Sequence, residues 1–316
     1  MSRLFNDWTR IYEAGPGMLW IVVTIGLLTG VTMAWYQRRP WRQRLGEAKA
    51  KGRELRARRE KLIIEPSASP AAARPALKIT ETAGLFRPGP DEEMPDRVVF
   101  ILDVSRSLTP AQFAMSKAEL LGGLDSLRIG AFYQVIFFSG PAWFAHQRLV
   151  SGGERGEDVV IRDGDLEHRW KYAFGGHLYE GKEGFHPAGE WRVASEETLA
   201  ATRRDIDEVG KSDGTTWHLP LRTALNIEPA PAQVFFMTDG EIARQDEIID
   251  GLLELSRARG NPAIHTTALA VPGASKSLHR LAMTTGGRHA LVIAGGHVLR
   301  DEDLVAYLEE KGITLD

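Results

Sequence analysis

Beyond residue 95 the chain alternates between short, unbroken apolar runs and longer stretches whose apolar residues recur at helical spacing. The runs Val98–Leu102, Ala131–Phe138, Gln233–Met237, Ala263–Val271 and Arg288–Ile293 are rich in β-branched and aromatic residues. They predict strands buried on both faces. Between them, 110–127, 219–227, 246–259 and 276–284 carry the helical pattern. Such alternation predicts an α/β fold, a doubly wound and mostly parallel sheet with helices on both faces. In sheets of this kind ligands bind outside the carboxyl ends of the strands.

Ahead of this region the pattern changes. Met18–Trp35 is apolar and uncharged; at about 1.5 Å per residue a helix of that length reaches about 27 Å, against a hydrocarbon core of about 30 Å. Trp8, Tyr12, Trp20, Trp35, Tyr36 and Trp41 cluster at its ends, as interfacial aromatics do. The positive residues follow the run, and no convincing Ala-x-Ala cleavage site appears, so a membrane helix is expected rather than a cleaved signal peptide. Lys and Arg are concentrated on its C-terminal side, which by the positive-inside rule places the large domain in the cytoplasm. The expected organisation is an N-terminal flank over 1–17, one transmembrane helix over 18–36, and a basic juxtamembrane helix over 37–64. A Pro/Ala-rich linker over 65–95 and the main domain over 96–316 follow. The basic helix suits either contact with anionic lipid or a soluble spacer.

Composition narrows the chemistry. The chain has 316 residues and no cysteine, which excludes disulfides and zinc–thiolate sites. Its net charge of −3 conceals a division. Eleven Lys/Arg against three Glu between Arg38 and Lys61 give +8, leaving −11 for the remainder. An acidic main domain argues against nucleic acid as its partner.

The candidate chemistry sits just past two of the expected strands. Asp103-Val-Ser105-Arg-Ser107 follows the first, Thr238-Asp239-Gly240 follows the third, and Asp213-Gly-Thr215-Thr216 precedes a helix. A hard cation such as Mg2+ takes about six oxygen ligands at about 2.0–2.1 Å. One tight turn offers it a carboxylate and two hydroxyls, and two further loops add a threonine and a second carboxylate. Each motif alone has a plainer reading: Ser105, Ser107 or Thr109 can cap a helix starting near Pro110, and Thr-Asp-Gly can be a mere turn. Together, in this order, they resemble the metal-ion-dependent adhesion site of a von Willebrand factor A (VWA) domain, here of the membrane-anchored bacterial type. The resemblance covers about two-thirds of the chain, from near Arg97 onward. It implies a Rossmann-like fold and a metal site of Asp103, Ser105, Ser107, Thr215 and Asp239. The metal implied is Mg2+, with Mn2+ or Ca2+ as alternatives, and its open position takes a carboxylate from a protein partner. Some cytoplasmic relatives serve AAA+ ATPases, which suggests that partner class. The family usually has Gly-Gly-Thr where this chain has Asp213-Gly-Thr-Thr, so Thr216 stays open as the alternative to Thr215.

Residues 140–195 form an expected insertion. Strand-like stretches at 143–150 and 159–163 are followed by His168, Trp170, Tyr172, Phe174, His177, Tyr179, Phe185, His186 and Trp191. These are read as exposed aromatic anchors beside the metal face, or as a packed surface excursion without specific role. Zinc on His168, His177 and His186 has a nine-residue spacing that matches no usual ligand pattern. An enzyme is not expected. A Mg2+-dependent phosphotransferase of the haloacid-dehalogenase type needs a second carboxylate where Ser105 stands. Gly210-Lys-Ser212 lacks the first Gly of a phosphate loop, Asp205 standing there, and no base accompanies a nucleophile. The other alternative is a structural anchor whose metal site is vestigial.

Overall fold

The computed structural model describes residues 83–89, 92–173, 176–180 and 189–315, all within the compact unit Leu77–Asp316. The first elements are β1 (Arg97–Asp103), α1 (Pro110–Asp125), β2 (Phe132–Phe138), β3 (Ala142–Phe144), β4 (Arg148–Ser151), β5 (Val159–Asp163), β6 (Leu166–Ala173) and β7 (Gly176–Glu180). Then come β8 (Arg192–Val193), α2 (Glu196–Glu208), α3 (His218–Leu225), β9 (Gln233–Thr238), α4 (Gln245–Ala258), β10 (Ala263–Leu269), α5 (Pro272–Thr284), β11 (His289–Val292), β12 (Val298–Leu299) and α6 (Asp301–Glu310).

The main sheet runs β12-β11-β10-β9-β1-β2-β3, with β8 also on β2. Its centre, β11-β10-β9-β1-β2, is parallel, and the short edge strands β12, β3 and β8 are antiparallel. β1 and β9 are buried along nearly their whole length, as strands covered on both faces must be. On one face Phe86, Phe100, Phe235 and His265 pack ring against ring. There α1 approaches closely enough that a Cβ on Gly123 would lie 2.9 Å from the Phe100 ring. On the other face Phe236 meets Phe138 and Trp217; Trp217 leads into α3. The molecule is therefore mixed α/β with a mostly parallel central sheet between helices.

Local chemistry sets the helix starts. Thr109 caps α1 through a reciprocal bond with Gln112, with Pro110 in the first turn, and Ser195 caps α2 in the same way with Thr198. The core also takes Leu85, Phe86 and Met94 from ahead of β1. Glu119 of α1 holds that segment by accepting from the backbone N–H groups of Ala83 and Leu85.

Residues 140–195 build a second sheet, antiparallel β4-β5-β6-β7. The apolar stretch 143–150 is two strands rather than one, broken by a turn in which Gln147 N donates to Phe144 O.

One expectation is corrected. Among the described residues no helix is long and apolar enough to cross a membrane, and that overturns the single-pass membrane localisation with a cytoplasmic domain. The run 18–36 and the basic stretch 37–64 from which it was read lie outside the described residues.

Candidate metal centre

Asp103 closes β1 and Thr238 closes β9, and the parallel register sets Leu102 opposite Met237, so the next residues are neighbours on one face. Thr238 Oγ1 donates to Asp103 Oδ2 at 2.6 Å, and the Ser105 N–H donates to Asp103 Oδ1 at 2.8 Å. The carboxylate is thus fixed at both oxygens. It is 1% exposed. Burial raises the Asp103 carboxyl to about 7, against the opposing pull of the Ser105 and Thr238 hydrogen bonds.

Past the strand ends the three loops meet. Ser105 Oγ donates to Asp239 Oδ1 at 3.1 Å and Ser107 Oγ donates to the same oxygen at 2.8 Å, the two hydroxyl oxygens lying 2.9 Å apart. Burial pushes the Asp239 carboxyl up, while the hydroxyls of Ser107 and Ser105 and the charge of Lys211 pull it down. Two carboxylates and two hydroxyls therefore crowd one pocket that is short of positive charge. Among the described residues no group of three or more His, Asp or Glu side chains gathers to hold a metal, at this site or elsewhere.

The two threonines part ways. Thr216 is buried, and its hydroxyl is turned to the carbonyls of Gly140 (2.7 Å) and Ser139 (3.2 Å). Thr215 instead lies against the turn that carries Asp239: a Cβ on Gly240 would sit 2.6 Å from Thr215 Cγ2 and 3.2 Å from Thr215 Oγ1.

Two contributors lay outside the expected ligand set. Thr238 holds Asp103, and strand alternation would have flagged it, since it ends the strand beside Asp103. Arg106, between the two serines, makes a two-pronged ion pair with Glu154 of the 152–157 turn at 2.6 and 2.5 Å. No local sequence signal links those positions.

Within the insertion the anchor reading fails at Trp170. Trp170 is 1% exposed and Tyr179 meets it edge-on, so Trp170 is the core of the small sheet rather than an anchor. Trp191 Nε1 donates to Pro229 O. His177 is buried with Nε2 on the Glu157 carbonyl, and His168 Nδ1 faces the Tyr179 hydroxyl at 3.4 Å. Each imidazole thus has its own partner, and His186, Phe174 and Phe185 lie outside the described residues. Gly210-Lys-Ser212 is no phosphate loop: Lys211 Nζ donates to Leu108 O, and Ser212 N donates to Val104 O.

No family model matches the sequence, and no curated protein matches it. Three solved structures are similar in part. A von Willebrand factor type A protein from Catenulispora acidiphila is 18% identical with a TM-score of 0.42, over 68% of this chain and 40% of that one. A conserved hypothetical protein, BatB, from Bacteroides thetaiotaomicron is 11% identical with a TM-score of 0.38, over 68% of this chain and 96% of its own. Proximal thread matrix protein 1 from the mussel byssus, described with a zinc-occupied MIDAS motif, is 15% identical with a TM-score of 0.39, over 67% and 43%. This chain thus spans about two-fifths of the first and third. All three scores lie below 0.5, so the chemistry of the site rests on its own residues.

Proposed function

We propose that Asp103, Ser105, Ser107, Thr215 and Asp239 hold a divalent cation, Mg2+ by preference, through which a VWA-like domain binds a protein partner's carboxylate. The observation that supports this most is the convergence of the Ser105 and Ser107 hydroxyls on one oxygen of Asp239 beside the fixed carboxylate of Asp103. The donor set fits the ion: all oxygen, with two hydroxyls that need only turn their protons outward, and two buried carboxylates that no cation among the described residues contacts. When bound, the cation supplies an open coordination position for a carboxylate oxygen. The chain's own residues do the positioning. Asp103 is oriented by Thr238, the serines by their turn, and Thr215 by its packing against Gly240. The partner class is a carboxylate-bearing protein, and an AAA+ ATPase is part of the proposal.

The test is calorimetric titration of the full chain with Mg2+ and Mn2+. Sites that keep several waters bind weakly, so Kd is expected between about 10 µM and about 1 mM. The wild type should gain heat stability with metal, and Asp103→Ala should lose that gain. No binding and no stabilisation at about 10 mM Mg2+ would mean a vestigial site and would sink the proposal.

A further inference from the structure

The small sheet is fastened to two of the three metal loops. Glu154 grips Arg106 between Ser105 and Ser107, and Gly153 O accepts from the N–H of Asp213, two residues before Thr215. Between the Ala173–Gly176 end of β6–β7 and the 213–215 loop lies a cavity of about 250 Å³, lined by Arg155, Tyr172, His177, Asp213, Gly214 and Thr215 among others. Close packing shapes it: a Cβ on Gly176 would lie 2.7 Å from Thr216 Cγ2, next in the chain to Thr215. One wall of the cavity is therefore a proposed metal ligand.

Three observations say what fits. First, the volume is below the range of about 300–1,000 Å³ typical of whole-ligand pockets, and suits one side chain. Second, Tyr172 shares the strand face of buried Trp170 and pairs with buried His177, yet it is 48% exposed. Its ring meets His177 edge-on at 5.5 Å, which leaves aromatic surface open toward the cavity. Third, Arg155 makes no ion pair with any described residue, while Glu157, Asp158 and Asp213 put carboxylates on the same loops. A second acid would be repelled there, whereas an aromatic ring would find Tyr172 for edge contact and a guanidinium to lie across its face.

We infer that this cavity is a side-chain subsite that selects an aromatic residue next to the carboxylate residue captured at the metal. The inference rests on the metal-dependent reading above and adds to it the partner's sequence chemistry: an acid flanked by Phe or Trp.

The probes are blocked tetrapeptides Ac-Gly-Asp-Xaa-Gly-NH2 and Ac-Gly-Xaa-Asp-Gly-NH2, with Xaa as Gly, Leu, Phe, Trp or Glu. They are titrated into the full chain at saturating Mg2+ and again in EDTA. In one of the two orders Phe and Trp should bind at least fivefold more tightly than Gly, and Glu more weakly than Gly. Tyr172→Ala should erase the aromatic preference, with Mg2+ affinity measured beside it to report on the ion site separately. Leu178→Ala, on β7 and 63% exposed, does not line the cavity and should keep the preference. Equal affinity across Xaa, a preference that survives Tyr172→Ala, or no binding of any peptide overturns the subsite. A Tyr172-dependent preference that persists in EDTA would support the cavity and overturn the metal reading instead.

Discussion

Replacing Asp103 by Asn in metal-free protein exposes what the site costs the fold. Asn keeps the shape and can still accept from the Ser105 N–H, and its amide can donate to the Thr238 hydroxyl that now donates to Asp103. What it removes is the charge. The Asp103 carboxyl rises from its ordinary 3.8 to about 7 in the folded state. The folded protein therefore binds this proton more tightly than the unfolded chain. The stability linked to it is complete below about pH 4 and is lost as pH rises through about 7. A difference of about three pKa units at about 1.4 kcal/mol each amounts to roughly 4 kcal/mol. In EDTA, urea denaturation of wild type and Asp103→Asn from pH 4.5 to 8.5 should show the wild type losing roughly 3 kcal/mol of this relative to the variant. At about pH 8 and about 10 mM Mg2+ the wild type alone should recover, by about 2.7 kcal/mol if the metal stands at about a hundredfold its Kd. A stability difference that is flat with pH would refute the claim that burial strains this carboxylate.

Four further outcomes test other parts. Thr216→Ala should cost about 1 kcal/mol in urea denaturation, because its hydroxyl answers buried carbonyls. Thr215→Ala should change stability less, yet weaken carboxylate binding at saturating Mg2+ at least tenfold, about 1.4 kcal/mol. His265 and His289 are held by burial to about 4 and about 3, Arg288 adding to the effect at His265 and His279 at His289. They are neutral in the fold, so their contribution is full above about pH 6.5 and lost as pH falls toward about 4. In the Asp103→Asn background, His265→Gln should remove about one proton, or about 1.4 kcal/mol per pH unit, from the slope of stability in that window. Trp170→Ala should cost about 3–5 kcal/mol within the small sheet. Hydrogen exchange should then rise across β4–β7 while β1 and β9 stay protected.

The parallel core was legible because its strands are continuous apolar runs ended by turn residues, and Val98–Leu102 lies within the observed Arg97–Asp103. The three loops could be read because oxygen donors at strand ends leave a local imprint. Other parts left none. Glu196–Glu208 is a helix whose apolar residues are few, so its periodicity is faint. The 83–94 segment packs Phe86 into the core from a Gly- and Pro-rich stretch without a repeating pattern. In sequence Trp170 reads with its aromatic neighbours as an exposed anchor, although a charged residue stands on each side of it. In an antiparallel sheet that alternation marks a buried position, and only the pairing of β5, β6 and β7 shows which face is inward.

The bond from Ser105 to Asp239 spans 134 residues of chain, because β9 inserts directly beside β1. That gap has a temporal meaning. While the chain is being made, the serine turn emerges long before its acidic counterpart, and the nascent segment offers an ion one carboxylate, Asp103, beside the two serine hydroxyls. Closing so wide a loop is slow relative to forming local helices, and the site cannot exist until β9 lies beside β1. Cation capture would then report that β9 has taken its place beside β1, and a chain that stops short of Asp239 would be unable to engage a partner.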